Sequence, residues 1–163
     1  MKKVIVIGCP GAGKSTFARA LSEKTQLPVY HLDLFFWNED KTTVPRPEFL
    51  RRLHQAMRED AWIIDGNYGS TMELRVAACD TVFFLDYSLE VCLAGLQERK
   101  GKSRPDFPFH FPKVEKNDAF YQFVERYAEE SRPRVLELLS RYADKTVITF
   151  RTRDEASAYL EQL

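Results

Sequence analysis

The sequence has no excess charge of either sign, because its 24 lysines and arginines equal its 24 aspartates and glutamates. A neutral chain lacks the long-range positive potential that draws proteins to nucleic acids or anionic membranes without sequence preference. The sequence also contains no helix-turn-helix pattern and no extended basic tail. Direct binding to DNA is therefore not expected, and neither is membrane binding.

Long apolar runs and cysteines are equally scarce. No run of about 18 apolar residues occurs, and the chain enters a core strand at once, with no cleavable signal segment. Its three cysteines, Cys9, Cys79 and Cys92, lack metal-binding spacing, and their odd number favours reduced thiols. Cys79 and Cys92 lie among apolar neighbours and are expected in the core. These absences predict a soluble, cytoplasmic protein.

The sequence does contain a phosphate-binding pattern close to its start. An apolar, β-branched run at residues 4–7 ends at a glycine, and a helical pattern begins at Lys14. Glycines let the loop turn several backbone N–H groups inward, and the helix adds the positive end of its dipole. Lys14 would reach the β- and γ-phosphates of ATP, and the Ser15 hydroxyl would coordinate Mg²⁺. The predicted ATP-binding segment comprises Gly8, Cys9, Pro10, Gly11, Ala12, Gly13, Lys14, Ser15 and Thr16.

Four more short apolar runs alternate with helical patterns, at residues 27–33, 61–65, 81–86 and 145–150. This alternation predicts a three-layer α/β fold with a five-stranded parallel sheet. Ligands of such sheets bind at the carboxyl ends of the strands, where Asp33, Asp65 and Asp86 are expected. Further helices are predicted from about residue 48, from residue 70 or 71, at 89–100, at 117–142 and at 154–163. Ser70 and Asp154 are the expected caps of the second and the last of these helices. Pro133 should bend or break the helix at 117–142.

One long segment, residues 101–116, has no periodicity and is rich in basic residues, proline and phenylalanine. A charged loop is usually a solvated surface, and its phenylalanines would also suit the stacking of nucleic-acid bases. In a chain with a phosphate-binding loop, however, a basic segment favours a lid that closes over the phosphates and excludes water. We therefore predict a lid at about residues 100–117, with Arg99 and Arg104 as its contacts to the phosphates.

The order of these motifs resembles that of small P-loop kinases of the adenylate kinase and shikimate kinase type. Three segments, at residues 8–15, 28–33 and 62–68, more closely resemble bacterial topology modulation proteins, which are adenylate kinase-related kinases. The resemblance implies a nucleoside monophosphate kinase-like fold with strand order 2-3-1-4-5. It also implies a single P-loop kinase domain at 1–163, with an acceptor-binding segment at about residues 34–60.

The resemblance further implies roles for individual residues. Lys14, Asp65, Arg99 and Arg104 match catalytic positions, and Ser15 and Asp65 match the metal site, where Asp65 would hold metal-bound water. Arg151 follows the last strand, where this fold holds the adenine of ATP. The acceptor-binding positions are Asp33, Arg46, Asn67, Tyr68 and Arg75.

Alternatives remain open at the three aspartates. Asp65 has a structural alternative, which is to cap the turn after its strand. Asp33 binds metal, orients an acceptor hydroxyl as a base, or caps its loop. Asp86 fits a turn or cap better than a metal site. The three histidines, His31, His54 and His110, show no metal-binding spacing.

Adenylate kinases have Phe-Pro-Arg after the strand-end Asp-Gly, whereas this sequence has Asn67-Tyr68. The arginine that grips the phosphate of AMP is thus missing, and adenylate kinase activity is not expected as the main function. The sequence predicts a kinase that transfers the γ-phosphoryl group of Mg-ATP to a small acceptor, such as a nucleotide or nucleoside. The alternatives are an ATP-binding regulatory protein linked to DNA topology, with slow or no kinase activity, and a slow ATPase.

Overall fold

Five parallel strands form one sheet at the centre of the protein. The structure is a computed structural model that describes residues 1–163. The strands follow the order β2-β3-β1-β4-β5, which confirms the predicted topology. Their bounds are β1 Lys3–Gly8, β2 Val29–His31, β3 Trp62–Asp65, β4 Thr81–Leu85 and β5 Thr146–Phe150. The three central strands are almost continuously apolar because helices cover both faces of the sheet.

Alternate residues of β1 enter two separate cores. Val4 and Val6 pack on one face of the sheet, and Ile5 and Ile7 pack on the other, all with no exposed surface. The first face carries α1 (Lys14–Thr25), α5 (Leu89–Arg99), α6 (Ala119–Arg126) and α8 (Arg153–Glu161). The second face carries α2 (Leu32–Phe36), α3 (Arg46–Met57), α4 (Gly69–Ala78) and α7 (Arg132–Ser140). The three-layer α/β architecture is therefore as predicted.

The structure corrects three predicted element ends. The second strand stops at His31, so Asp33 lies in the first turn of α2 and not at a strand end. A carboxylate is favourable there because it faces the positive end of the helix dipole. Ser70 lies inside α4, because this helix begins at Gly69. The residue before the helix, Tyr68, has a left-handed backbone conformation. The last helix is capped by the Thr152 hydroxyl, which accepts a hydrogen bond from the Glu155 N–H at 3.2 Å.

The predicted long helix at 117–142 is broken, as its proline suggested. It consists of α6, a π-helical turn at Tyr127–Ser131 and α7, whose first turn contains Pro133. Proline has no N–H to donate, and the π-helical turn before it pairs the N–H of Arg132 with the carbonyl oxygen of Tyr127, five residues back. Residues 101–118 form neither helix nor strand. None of the helices combines the length and the hydropathy that a membrane-spanning segment requires.

Candidate active site

The loop between β1 and α1 is held in a conformation that requires glycine. Gly11 and Gly13 adopt φ values of 88° and 95°, which other residues rarely take. A Cβ atom on Gly11 would lie 2.0 Å from the carbonyl oxygen of Cys92 in α5, and one on Gly95 would lie 2.0 Å from the carbonyl oxygen of Gly11. The two glycines thus let the loop backbone pack directly against the backbone of α5.

Ser15 and Asp65 are joined at the mouth of this loop. The Ser15 hydroxyl donates a hydrogen bond of 2.9 Å to Oδ1 of Asp65, which is 3% exposed. The other oxygen of Asp65 pairs with Nδ1 of His31. His31 and Asp65 end neighbouring strands and are partners in the register of β2 and β3. Sequence reasoning did not assign a role to His31, because it placed the end of this strand two residues later, at Asp33.

Three cations surround the same loop. Lys14 Nζ donates to the carbonyl oxygen of Cys9 at 3.3 Å, and burial, together with the charge of Arg99, lowers the pKa of Lys14. The Arg99 guanidinium lies 4.1 Å from the ring centroid of Phe111, and its buried Nε has no hydrogen-bond partner. Burial lowers the pKa of Arg99 as well. Arg104 donates to the Thr16 hydroxyl at 2.7 Å, which brings the predicted lid onto α1.

A buried carboxylate inside the basic segment fixes it to the rest of the protein. Asp106 is 1% exposed and pairs with Arg19 of α1 at 2.7 Å and with Arg104 at 3.2 Å. Burial raises the pKa of Asp106, but the charges of Arg104 and Arg19 outweigh it, so the pKa falls below its ordinary value. Sequence reasoning missed Asp106, since its partner Arg19 is 87 residues away.

A second carboxylate, Asp33, lies in the same site together with aromatic rings. The Tyr68 hydroxyl donates a hydrogen bond of 2.5 Å to Oδ1 of Asp33. Burial raises the pKa of Asp33, and the hydrogen bond from Tyr68 only partly offsets this effect. Burial, with the charge of Asp33, also raises the pKa of Tyr68 far above its usual range. Tyr68 therefore acts as a hydrogen-bond donor to the Asp33 carboxylate.

These groups line one cavity of about 990 Å³. Of the predicted site residues, its lining includes residues 10–16 of the loop and both phosphate-side arginines, Arg99 and Arg104. It also includes four residues of the predicted acceptor and metal sites, namely Asp33, Asp65, Asn67 and Tyr68. The structure thus places most of the predicted residues around a single space.

Gly8 and Cys9 lie outside the cavity lining, as do three predicted arginines. Arg75 is fully buried and donates to the backbone carbonyl oxygens of residues 66, 67 and 68, and burial lowers its pKa to about 10. Arg46 bonds to the Ser70 hydroxyl at 3.0 Å. Arg151 is largely exposed and pairs with Asp86 at 3.2 Å, while Arg153 lines the cavity nearby.

Asp86 has arginine partners on two segments. It accepts hydrogen bonds from Arg132 at 2.9 Å in addition to its pairing with Arg151. This carboxylate therefore ties the end of β4 to α7 and to the segment after β5.

The oxygen atoms of Ser15 and Asp65 suit Mg²⁺, which prefers hard oxygen ligands and commonly takes one or two protein ligands with substrate phosphates and water. No group of three or more histidine, cysteine, aspartate or glutamate side chains is placed to hold a metal ion. A metal bound here would therefore need further ligands from water or from a bound molecule.

A scan against protein-family models finds no match, and no curated protein matches the sequence. Solved structures do share the fold. The shikimate kinase from Acinetobacter baumannii in complex with shikimate is 19% identical with a TM-score of 0.65, over 99% of this chain and 92% of that chain. A sugar kinase from a Janibacter species is 19% identical with a TM-score of 0.58, over 99% and 91%. The shikimate kinase from Bacteroides thetaiotaomicron is 16% identical with a TM-score of 0.58, over 98% and 94%. The chain thus has the P-loop fold of shikimate kinase.

Proposed function

We propose that this protein is a kinase that transfers the γ-phosphoryl group of Mg-ATP to a small acceptor. The observation that carries the proposal is one cavity whose lining combines a glycine-rich loop and three cations with the Asp33 carboxylate. Phosphoryl transfer needs this arrangement, because donor and acceptor must be held in line while charge on the transferred group is neutralised. The fold shared with shikimate kinase and a sugar kinase supports the proposal.

In this proposal the loop N–H groups and Lys14 bind the β- and γ-phosphates. Ser15 would hold Mg²⁺ directly and Asp65 would hold it through water, and the ion would neutralise phosphate charge. Arg99 and Arg104 stabilise the charge on the transferred group, and the lid excludes water.

Asp33 orients the acceptor hydroxyl and accepts its proton. Burial raises the pKa of Asp33, which makes its carboxylate a stronger base than an ordinary carboxylate. Adenine stacking on Arg151 and acceptor contacts from Arg46, Asn67, Tyr68 and Arg75 stay predictions.

The test is ADP release by the purified protein with Mg-ATP, screened against nucleosides, nucleoside monophosphates and small hydroxyl compounds. We expect one acceptor class to stimulate release and to return carrying the phosphoryl group, and Lys14→Ala to abolish the stimulation. Failure to bind ATP, or unchanged ATP consumption by Lys14→Ala, would contradict the proposal. Tight ATP binding with no stimulation by any acceptor would instead favour the nucleotide-dependent regulator.

A further inference from the structure

Arg104, a lid arginine of the proposed phosphoryl transfer, belongs to a tight turn. The Phe107 N–H donates to the carbonyl oxygen of Arg104 at 3.3 Å, which closes a β-turn with Pro105 at its second position. Proline favours that position because its ring fixes φ near the value that the turn requires. The turn brings the guanidinium of Arg104 to the carboxylate of Asp106, and Nε of Arg104 donates to Oδ1 of Asp106 at 3.2 Å.

The two polar side chains of this turn contact successive turns of α1. Arg104 Nη2 donates to the Thr16 hydroxyl at 2.7 Å, and Arg19 Nη1 donates to Oδ1 of Asp106, also at 2.7 Å. Thr16 and Arg19 are three residues apart in the sequence and therefore lie on the same face of the helix. The helix that begins at the phosphate-binding loop thus holds the lid turn at two points.

The contact through Asp106 is the stronger of the two. Asp106 is buried, and although burial raises its pKa, the charges of Arg104 and Arg19 lower the pKa below its ordinary value, so the carboxyl is ionised at neutral pH. A buried charge that loses a partner is left uncompensated, which opposes separation of the lid from α1. The contact between Arg104 and Thr16 is exposed, where water competes for both groups.

Arg19 contacts the lid but not the cavity. Arg104 and Asp106 line the cavity, whereas Arg19 lies outside its lining. Residues 101–118 form neither helix nor strand, so no regular backbone pairing sets the position of Arg104. The position of this guanidinium therefore depends on the side chains that surround it.

From the chain of contacts that runs from Arg19 through Asp106 to Arg104, we infer that Arg19 and Asp106 are positioning residues, whose ion pair docks the lid on α1 and sets Arg104 beside the phosphate-binding loop. This inference rests on the proposed kinase function, in which Arg104 stabilises charge on the transferred group. A guanidinium displaced by about 1 Å loses much of that effect, since it must lie where the charge develops. Arg19 thus affects the rate of transfer without touching either substrate.

A double-mutant cycle separates positioning from a merely structural role. Arg19→Gln should lower kcat by at least about tenfold and change the KM for ATP by less than about threefold. In an Arg104→Ala background, Arg19→Gln should lower kcat further by less than about twofold, because the group that Arg19 positions is already absent. Lys24→Gln removes the same charge from an exposed position of α1 and should leave both constants unchanged.

Two further variants complete the kinetic test. Asp106→Asn should reproduce the loss of kcat, and Arg19→Lys, which keeps the charge, should recover part of it. Arg19 is partly exposed, so its variants carry the test if Asp106→Asn does not fold. The inference is overturned if Arg19→Gln leaves kcat unchanged, or if it lowers kcat by the same factor in both backgrounds.

Trypsin cleavage tests the docking of the lid without an assay of phosphoryl transfer. Lys100 and Lys102 are exposed, and cleavage after them should be at least about threefold faster in Arg19→Gln than in the unaltered protein or in Lys24→Gln. Equal cleavage would overturn the inference even if the kinase function stands. Faster cleavage in a protein that phosphorylates no acceptor would support the docking contact and overturn the kinase function.

Discussion

Two parts of the cavity lining differ in whether backbone or side chains form them. We call them the phosphate end and the acceptor end, after their proposed roles. The phosphate end uses backbone, since its loop is pressed against α5 through Gly11 and Gly95, with cations around it. The acceptor end uses side chains, because the lid has no helix or strand and meets the end of α2 through the rings of Trp37, Phe107 and Phe109. A backbone cradle binds any phosphate chain, whereas a wall of side chains changes with each substitution. In the proposed kinase, the fold would therefore supply the donor site, and the particular side chains would select the acceptor.

The largest expected effect comes from removing the charge that defines the phosphate end. Lys14→Ala should lower kcat/KM by about 10²–10³-fold, since the transferred group loses a positioned cation in a site that excludes water. The measurement is steady-state phosphorylation of the acceptor. Lys24→Ala, an exposed lysine of the same helix, is the control and should leave the rate unchanged. If Lys14→Ala lowers kcat/KM by less than about threefold, Lys14 does not stabilise the transferred group, and the phosphate end is not defined by a positioned cation.

The close packing of the loop backbone against α5 is tested by adding a single methyl group at Gly11. Gly11→Ala should lower the free energy of unfolding by about 3 kcal/mol or more, because its Cβ would lie 2.0 Å from the Cys92 carbonyl oxygen. Gly101 in the lid also has a positive φ, of 68°, but a Cβ there meets open space. Gly101→Ala should therefore cost only about 1 kcal/mol for its left-handed backbone. Equal losses in urea unfolding would show that the contact with α5 does not constrain the loop.

A smaller effect is expected from His31, which links the metal-binding carboxylate of the proposal to the neighbouring strand. His31→Ala should raise the Mg²⁺ concentration for half-maximal activity by about tenfold, because Asp65 loses the partner that orients it. His31→Asn retains an N–H donor and should lose less. The exposed His54 serves as the control through His54→Ala. A KM for acceptor that rises while the Mg²⁺ dependence stays constant would instead place His31 with the acceptor end.

The smallest expected effect is a gain in stability at the acceptor end. Burial raises the pKa of Asp33, so the folded protein holds a proton on this carboxyl more tightly than the unfolded chain does. The stability that this group contributes is present below its unfolded pKa and is lost as the pH rises through the folded pKa. Asp33→Asn should therefore raise the Tm at about pH 8 and change it little at about pH 4.

Activity should fall in the same Asp33→Asn variant, the expected trade-off at a functional site. The matched control is Asp60→Asn, which changes an exposed carboxylate before β3. A lower Tm in Asp33→Asn at about pH 8 would mean that the Asp33 carboxylate stabilises the fold.

The sequence-based predictions succeeded where the signal is local. The strand, loop and helix around Lys14 are adjacent in the chain, and strand-end residues such as Asp65 follow buried apolar runs directly. The order of the strands came from the resemblance and was confirmed. A strand end is less certain when a short helix follows at once, which is why Asp33 was placed in β2 and not in α2.

Contacts between distant segments were beyond the sequence. Nothing in the basic segment indicated that Asp106 pairs with Arg19, which lies 87 residues away. Likewise, the choice between Arg151 and Arg153 as the cavity-lining arginine depends on the direction in which α8 starts. Such choices depend on where folding brings side chains together, and periodicity carries no information about that.

The two cores that meet at β1 have a consequence for how the protein loses its structure. Because neighbouring residues of this strand, such as Val6 and Ile7, belong to opposite cores, neither core can melt without releasing the strand that carries the phosphate-binding loop. The loop is thus coupled cooperatively to both halves of the molecule, and the nucleotide of the proposed function would protect the whole sheet from denaturation. Occupancy of the loop and integrity of the fold should disappear together, in one transition.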